Sequence, residues 1–179
     1  KNSIHKIKLN LIGKVQFKNL LMAVIASTKS GVNIEDILNA IPKIKSVEGR
    51  FERVGRIKNN SKVILDYAHT PDALKTCLQN IKEQFPGKKI ALLFGCGGNR
   101  DQNKRAKMGK IADLFSDKIY LTDDNPRLEQ PSKIRKDIKK GIKKQKVLEY
   151  SNRAKAITEA IKNLNTGEIL LVAGKGHEK

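Results

Sequence analysis

The sequence predicts an α/β protein: a doubly wound, mostly parallel sheet of about six strands with one antiparallel edge strand. Two observations carry this prediction. From about residue 47 onward, short apolar runs alternate with segments of helical spacing, a pattern typical of buried parallel strands covered by helices on both faces. At the start of this region, runs at 51–57 and 62–67 flank the turn-rich stretch 58–61. They predict a hairpin whose first strand is the antiparallel edge.

The individual elements follow from the same periodicities. Continuous apolar runs predict strands at the ranges 89–94, 119–122, 147–150 and 168–173. Helices are expected at 70–85, 104–115, 131–143 and 152–164. The first of these begins with Thr70 as its cap and Pro71 at its first position, both favoured at a helix start.

The first 46 residues have a different pattern. Residues 4–11 alternate between apolar and polar, which predicts a strand. Apolar residues at helical spacing predict a helix over 16–30. Asn33 is the expected cap of a second helix over 34–41 whose apolar residues face inward, and Pro42 is expected to end it. This region contains helices but little sheet, and it is expected to be separate from 47–179.

The charge of the chain raises a nucleic-acid hypothesis, which the composition argues against. The net charge is +19, from 37 Lys and Arg against 18 Asp and Glu. However, only 8 of the basic residues are Arg, the side chain best suited to bidentate phosphate and base contacts. Aromatic residues make up 4%, with no Trp, so stacking platforms are scarce. A basic nucleic-acid module remains the alternative of a different class.

Other function classes find little support in the composition. No apolar run reaches the 18 residues that a membrane helix requires, and the first residues have no signal-peptide pattern. The two cysteines form no CxxC, and no His/Cys spacing predicts a metal site. We therefore expect a cytoplasmic chain with free thiols and no metal ligands of its own.

Concentrated polar chemistry follows four of the predicted strands. The four segments are 66–72, 95–101, 122–127 and 174–178, with the sequences DYAHTPD, GCGGNRD, TDDNPR and GKGHE. Ligands of doubly wound sheets bind at the carboxyl ends of the strands, so these segments are expected to share one crevice. Arg100, Arg127 and Glu178 on that rim would suit a small zwitterion with more than one charged end.

Each segment also has a purely structural interpretation. The glycines of GCGGNRD could form a turn before a helix or could expose N–H groups to an anion. GKGHE lacks the spacing of a phosphate loop. His69 and His177 could be structural histidines, and Asp72 is expected to complement a helix dipole. Asp123 and Asp124 could form a turn or cap.

Four motifs in this order, YAHTPDAL (67–74), GCGGNRD (95–101), TDDNPR (122–127) and AGKGHE (173–178), resemble the C-terminal region of the Mur ligase family. GKVQFKN (13–19) is similar to the segment that closes the family's central ATPase domain, and GRFERV (49–54) to the start of its C-terminal domain. The resemblance implies that 1–46 is the helical end of the central domain. It also implies that 47–179 is a Rossmann-like C-terminal domain, truncated at its end.

The resemblance implies an ATP-dependent amide ligase of peptidoglycan precursor synthesis. Its substrates would be UDP-MurNAc-L-Ala-D-Glu and meso-diaminopimelate, joined through an acyl phosphate. DNPR is similar to the motif associated with diaminopimelate. By similarity, the residues that hold this amino acid are Arg100, Asp124, Asn125, Pro126, Arg127, Gly174 and Glu178. A ligase that adds lysine or another diamino acid is the nearest alternative.

The resemblance also implies ATP and Mg²⁺ as cofactors, with Mg²⁺ bound mainly outside this chain. Asn19, Arg50 and Asp66 stand where the family contacts the nucleotide, and His69 is a weaker candidate. Gln16 and Asn99 depart from the residues common at these positions. Because the chain contains no P-loop, it is expected to hold no catalytic residue and to be inactive alone. A monomer is expected.

Overall fold

The computed structural model describes residues 4–9, 11–57, 60–144 and 146–175, with Arg56 described by its backbone alone. These residues form two compact units, divided between Val47 and Glu48. The division falls beside the boundary expected at 46/47. The assignment of the first unit to a central ATPase domain stays a prediction.

The first unit consists of α1 (Lys14–Lys29), α2 (Ile34–Ala40) and a 3₁₀ helix (Ile41–Lys43). The predicted cap of α2 is confirmed, because the Asn33 Oδ1 atom accepts a hydrogen bond from the Glu35 N–H at 2.9 Å. α2 ends at Ala40, before Pro42 as expected, and Pro42 lies in the 3₁₀ helix that follows. Proline is tolerated at the start of a helix, where the first N–H groups have no acceptor within that helix.

Two expectations for the first unit are wrong. Residues 4–9 and 11 contain no strand. Alternation alone does not form one without a neighbouring strand, and the described residues of the first unit contain no other strand. Ile34 does not face inward, since 47% of it is exposed, whereas Ile37 and Ile41 are buried. A two-turn helix can bury only a narrow stripe, and Ile34 lies outside it.

The second unit contains a six-stranded sheet that confirms the predicted fold class. Its strands are β1 (Glu52–Arg56), β2 (Lys62–Asp66), β3 (Ile90–Phe94), β4 (Lys118–Thr122), β5 (Val147–Tyr150) and β6 (Ile169–Ala173). The spatial order is β1-β2-β6-β3-β4-β5. β1 pairs with β2 in antiparallel orientation, and the other four pairings are parallel. The hairpin strand is therefore the antiparallel edge.

Four helices connect the parallel strands: α3 (Pro71–Gln84), α4 (Asn103–Phe115), α5 (Pro131–Lys139) and α6 (Arg153–Lys162). The crossovers through α3, α4 and α5 run in one direction along the sheet, and the crossover through α6 returns from β5 to β6. Right-handed connections place the first three helices on one face and α6 on the other. Thr70 caps α3 and Asn152 caps α6 through their side chains.

One helix of this unit is shorter than expected. α5 ends at Lys139 rather than at 143. A Cβ atom at Gly141 would overlap the Ala106 carbonyl oxygen of α4. This close approach requires a glycine and a turn of the chain, so the contact between helices overrides the helical pattern of the lysine-rich segment.

The core lies on both faces of the sheet, and β3 and β6 are buried along their whole length. α6 contributes Ala156, Ala160 and, just beyond its end, Leu164 to a cluster with alternate residues of the strands. The intervening residues, including Leu92 and Leu171, are fully buried on the side of α3, α4 and α5. Because β2, β6, β3 and β4 are consecutive neighbours, their carboxyl ends meet at one edge of the sheet.

Candidate functional site

The segments that follow β2, β3, β4 and β6 line one cleft of about 690 Å³ in the second unit. The predicted substrate residues on its wall are Arg100, Asp124, Asn125, Arg127 and Gly174, and His69 joins them. Further lining residues are Tyr67, Thr70, Pro71, Gly97, Asp101, Lys104 and Lys107. Most of these lie in the motifs already singled out. Nothing in the sequence indicated that Lys104 and Lys107 belong to the site, because they are two lysines among several in a basic helix.

Not every predicted residue lines this cleft. Pro126 faces a separate small crevice beside Cys96 and Arg135. Glu178 and His177 lie outside the described residues. Asn19 is an exposed residue of α1 in the first unit.

The glycines of residues 95–98 let two loops pack backbone against backbone. A Cβ atom at Gly98 would overlap the Pro126 carbonyl oxygen, and one at Gly95 would overlap that of Thr122. The Gly98 N–H donates to the Asn125 carbonyl oxygen at 2.8 Å. Of the two interpretations of this glycine run, the described contacts favour close packing, with one of its N–H groups already bonded to protein.

Arg127 has an unusual backbone and a partly committed side chain. Its φ of 50° lies in the left-handed region, which is uncommon for residues other than glycine. The Arg127 N–H donates to Asn125 Oδ1 at 3.2 Å, and the Arg127 Nη1 donates to the Gly98 carbonyl oxygen at 2.8 Å. Because a guanidinium has five N–H donors in a planar fork, this bond leaves most of them without a partner among the described residues.

The two neighbouring aspartates of TDDNPR have different roles. Asp124 lines the cleft, accepts from the Asn125 N–H at 2.6 Å, and lies 3.8 Å from the Lys175 ammonium. Asp123 instead pairs with Arg135 of α5. The structure therefore separates a carboxylate that faces the cleft from one that fastens a helix to the sheet.

The other end of the cleft is formed by the start of α3 and one face of α4. His69 Nδ1 lies 3.1 Å from the Tyr67 carbonyl oxygen, and the two rings are 4.7 Å apart between centroids. The Lys104 ammonium donates to the His69 carbonyl oxygen at 2.8 Å. With Lys107 on the same wall, this end presents positive charge suited to an anion.

The candidate nucleotide residues of the second unit lie beside this end. Both carboxylate oxygens of Asp66 accept backbone N–H groups, from Phe51 at 2.8 Å and from Ala68 at 2.7 Å. Asp66 thus holds the segment before β1 to the segment after β2. The Arg50 guanidinium lies 4.8 Å from the centroid of the Tyr67 ring, a cation–π arrangement that keeps the exposed charge close to the cleft wall.

A buried arginine behind the cleft is absent from the sequence prediction. Arg105 of α4 is fully buried and donates to Glu129 Oε1 at 2.8 Å and to Asp137 Oδ2 at 3.2 Å. Hydrogen bonds from Arg105 and from the Asn99 backbone hold the pKa of Glu129 below its ordinary value. Arg105 lies on the same stripe of α4 as the apolar residues Met108 and Ala112. This spacing in the sequence could have indicated that Arg105 is buried.

Three further observations concern function classes. Cys77 and Cys96 are both free and buried, and burial raises the pKa of Cys96 to about 11, so its thiol is not reactive at neutral pH. The described residues contain no group of three or more His, Cys, Asp or Glu placed to hold a metal ion. None of the described helices is long and apolar enough to span a membrane.

Comparison with known proteins identifies the family. The family profile "Mur ligase, glutamate ligase domain" matches residues 49–176. The chain belongs to the Mur ligase family. Its Mur ligase relatives include the UDP-N-acetylmuramoyl-L-alanyl-D-glutamate–2,6-diaminopimelate ligases of Rickettsia typhi (44% identical, covering 99% of this chain) and Fusobacterium nucleatum (43%, covering 99%). This Mur ligase chain spans only 35% and 37% of the length of these two relatives.

Solved structures agree with the fold of this Mur ligase chain. A diaminopimelate ligase of the same name superposes with a TM-score of 0.71 at 33% identity, over 96% of this chain and 35% of that one. A folylpolyglutamate synthase from Thermotoga maritima superposes with a TM-score of 0.73 at 22% identity, over 97% of this chain and 39% of that one. The second likeness shows that the fold is shared beyond the Mur ligases.

Proposed function

We propose that this chain is the amino-acid-binding part of an ATP-dependent ligase that adds meso-diaminopimelate to UDP-MurNAc-L-Ala-D-Glu. One observation carries the proposal: Arg100, Arg127 and Asp124 line the same cleft, although they come from two separate loops. The names and 42–46% identities of the relatives support the same substrate.

The chemistry of meso-diaminopimelate fits this cleft. The molecule is a lysine with an additional carboxylate beside its distal amine. The other N–H groups of the Arg127 guanidinium would bind that carboxylate through charge-assisted hydrogen bonds, and Asp124 would take the ammonium. Lysine would leave the arginine charge without its anion. Discrimination against lysine is therefore expected at about 10- to 150-fold, the range for a lost hydrogen bond to a charged group.

The cationic end of the cleft suits the phosphorylated partner. In the proposed reaction ATP transfers its γ-phosphoryl group to the glutamate γ-carboxylate and leaves as ADP. The amine of the amino acid then attacks the acyl carbon, the C–N bond forms, and phosphate and a proton leave. We propose that Arg50 and His69 face phosphate oxygens, while Asp66 would act through the backbone that it holds. We place Asn19 at the adenine side and Mg²⁺ mainly on residues outside this chain. The enzyme is proposed to be a cytoplasmic monomer.

The test is binding and kinetics of the full-length enzyme with meso-diaminopimelate and with lysine. Arg127→Ala is expected to raise the KM for diaminopimelate about 10- to 150-fold, because the distal carboxylate loses a charged partner. The KM for ATP is expected to stay nearly constant. The matched control is Arg53→Ala, which removes an exposed arginine of β1 that does not line the cleft.

Three results would contradict the proposal. Tighter calorimetric binding of lysine than of diaminopimelate would favour the lysine-adding alternative. Equal increases in both KM values would mean that Arg127 acts through folding or domain closure. Tight, steeply salt-dependent binding to a random DNA duplex would favour a nucleic-acid module, a class with no support among the relatives.

A further inference from the structure

We propose that Arg105 and Glu129 form a positioning pair that sets the relative placement of Arg100 and Arg127 in the cleft. Arg105 belongs to α4 and Glu129 to the loop between β4 and α5. Neither residue lines the cleft. The inference rests on the proposed function, because it assigns how that site holds its two arginines at the correct separation.

A single carboxylate oxygen connects the two loops. Glu129 Oε1 accepts from Arg105 Nη2 at 2.8 Å and from the Asn99 N–H at 2.6 Å. Asn99 immediately precedes Arg100, and Glu129 is two residues beyond Arg127. Moving this carboxylate would therefore change where the backbone under Arg100 lies relative to the loop that carries Arg127.

A second hydrogen bond joins the same two loops in the opposite direction, from the β4–α5 loop to Asn99. The Leu128 N–H donates to Asn99 Oδ1 at 3.0 Å, so residues adjacent to both arginines bond directly to each other. Asn99 and Arg127 both have left-handed backbones, with φ of 49° and 50°. Such conformations persist where the surroundings fix them, and the hydrogen bonds to Glu129 and Asn99 supply that support.

Arginine is required at position 105 because it has two partners at once. Its Nη2 reaches Glu129 and its Nη1 reaches Asp137 of α5 at 3.2 Å. The planar fork holds both carboxylates in fixed directions, which a lysine ammonium cannot do. The Glu129 carboxylate is thus aimed at Asn99 by a side chain that is itself immobilised by complete burial.

The second partner provides a matched control. The Glu129 and Asp137 side chains are 15% and 20% exposed and bond the same guanidinium. Within the described part of the chain, Asp137 bonds Arg105 and Lys140, and neither bond reaches the cleft loops. Removing either carboxylate takes one hydrogen-bond partner from Arg105. Without Asp137, however, the bonds from Arg105 and from Asn99 to Glu129 remain, whereas removing Glu129 breaks both.

The experiment compares Glu129→Ala with Asp137→Ala in the full-length enzyme. Glu129→Ala is expected to raise the KM for diaminopimelate about tenfold, because Arg100 and Arg127 lose their fixed separation. The KM for ATP should change less than about twofold, since the nucleotide residues are untouched. Asp137→Ala should lower the melting temperature comparably and leave both KM values near wild type. Glu129→Gln, which keeps an acceptor oxygen for Asn99, should recover most of the affinity.

Amide hydrogen exchange separates a failure of this inference from a failure of the proposed function. Faster exchange at Asn99 and Leu128 in Glu129→Ala, but not in Asp137→Ala, would support the positioning pair whatever the substrate is. Equal exchange in both variants, or equal increases in the KM for diaminopimelate, would overturn it. A wild-type enzyme that binds no diaminopimelate would overturn the proposed function. The hydrogen-exchange comparison would still test whether Arg105 and Glu129 position the two loops.

Discussion

Single residues at the cleft are fixed by backbone geometry as much as by their chemistry. Gly98 is the clearest case, because its missing Cβ lets the segments 95–101 and 122–127 touch. The sequence marked this glycine as part of a loop, but it left open whether the loop bound an anion or packed closely. Gly98 lies close to the Pro126 carbonyl oxygen only because the chain folds the two loops together. The residues around Gly98 in the sequence do not indicate this contact.

Gly98→Ala is expected to destabilise the second unit by about 1–3 kcal/mol, the usual effect of forcing an added methyl group into a filled space. The loops must separate to admit the Cβ atom, so the affinity for the proposed substrate, diaminopimelate, should fall as well. Thermal unfolding and calorimetry would measure both effects.

Gly55→Ala is the control for this substitution. Gly55 lies in β1, and a Cβ atom there would meet nothing within 4 Å. The control should leave the melting temperature and the amino-acid affinity close to wild type. A Gly98→Ala variant that lost no more stability and affinity than Gly55→Ala would contradict the proposed effect of the close loop packing.

Among the elements, most helices and strands of the second unit were predictable, since their periodicity and caps agree with their final packing. The exceptions have physical causes. The alternating residues 4–9 and 11 form no strand among the described residues, and α5 is shortened by its contact with α4. Ion pairs between elements were also missed, because an Arg or Glu in a charged segment looks solvated until its partner is known.

One such group of ion pairs fastens α5 to the sheet. Glu149 of β5 accepts from Arg135 Nε at 2.7 Å and also pairs with Lys139, and Arg135 bonds Asp123 after β4. Burial alone would raise the pKa of Glu149, but the hydrogen bonds from Arg135 and Lys139 outweigh burial and lower it. A carboxyl group whose pKa is lowered by folding stabilises the folded state at pH values above its ordinary pKa of 4.5.

Glu149→Gln should therefore lower the free energy of unfolding at pH 7 by about 1 kcal/mol or less, as for partly exposed ion pairs. The difference from wild type should vanish as the pH falls through the lowered pKa, because the wild-type carboxylate then becomes neutral. Urea unfolding at a series of pH values measures this. A difference that persisted in acid would mean that Glu149 stabilises by packing rather than by charge.

At the scale of the molecule, the two units differ in how much apolar surface they bury. In the described residues of the first unit, the buried apolar side chains are Ile12, Ile37 and Ile41, and α1 has none. Phe17 and Met22 of α1 are 56% and 67% exposed. The second unit contains a sheet with two complete core faces. Burial of apolar surface is the main stabilising contribution to folding, so the second unit should be the stable one.

A shortened chain of residues 48–179 is accordingly expected to unfold cooperatively in urea, with circular dichroism of a mixed α/β protein. A peptide of residues 1–47 should show little helix in water, because isolated helices of this length are marginal without packing. Equal cooperativity of the two pieces would contradict this division of stability.

The place of β6 in the sheet has a consequence for biosynthesis. β2 and β3 do not pair with each other. Each pairs with β6, whose residues 169–173 lie more than 70 positions further along the chain. The two halves of the sheet therefore remain unjoined on the ribosome until that segment emerges. Such long-range pairing slows folding. Until β6 pairs, the facing edges of β2 and β3 have unpaired backbone groups that can pair with other nascent polypeptides.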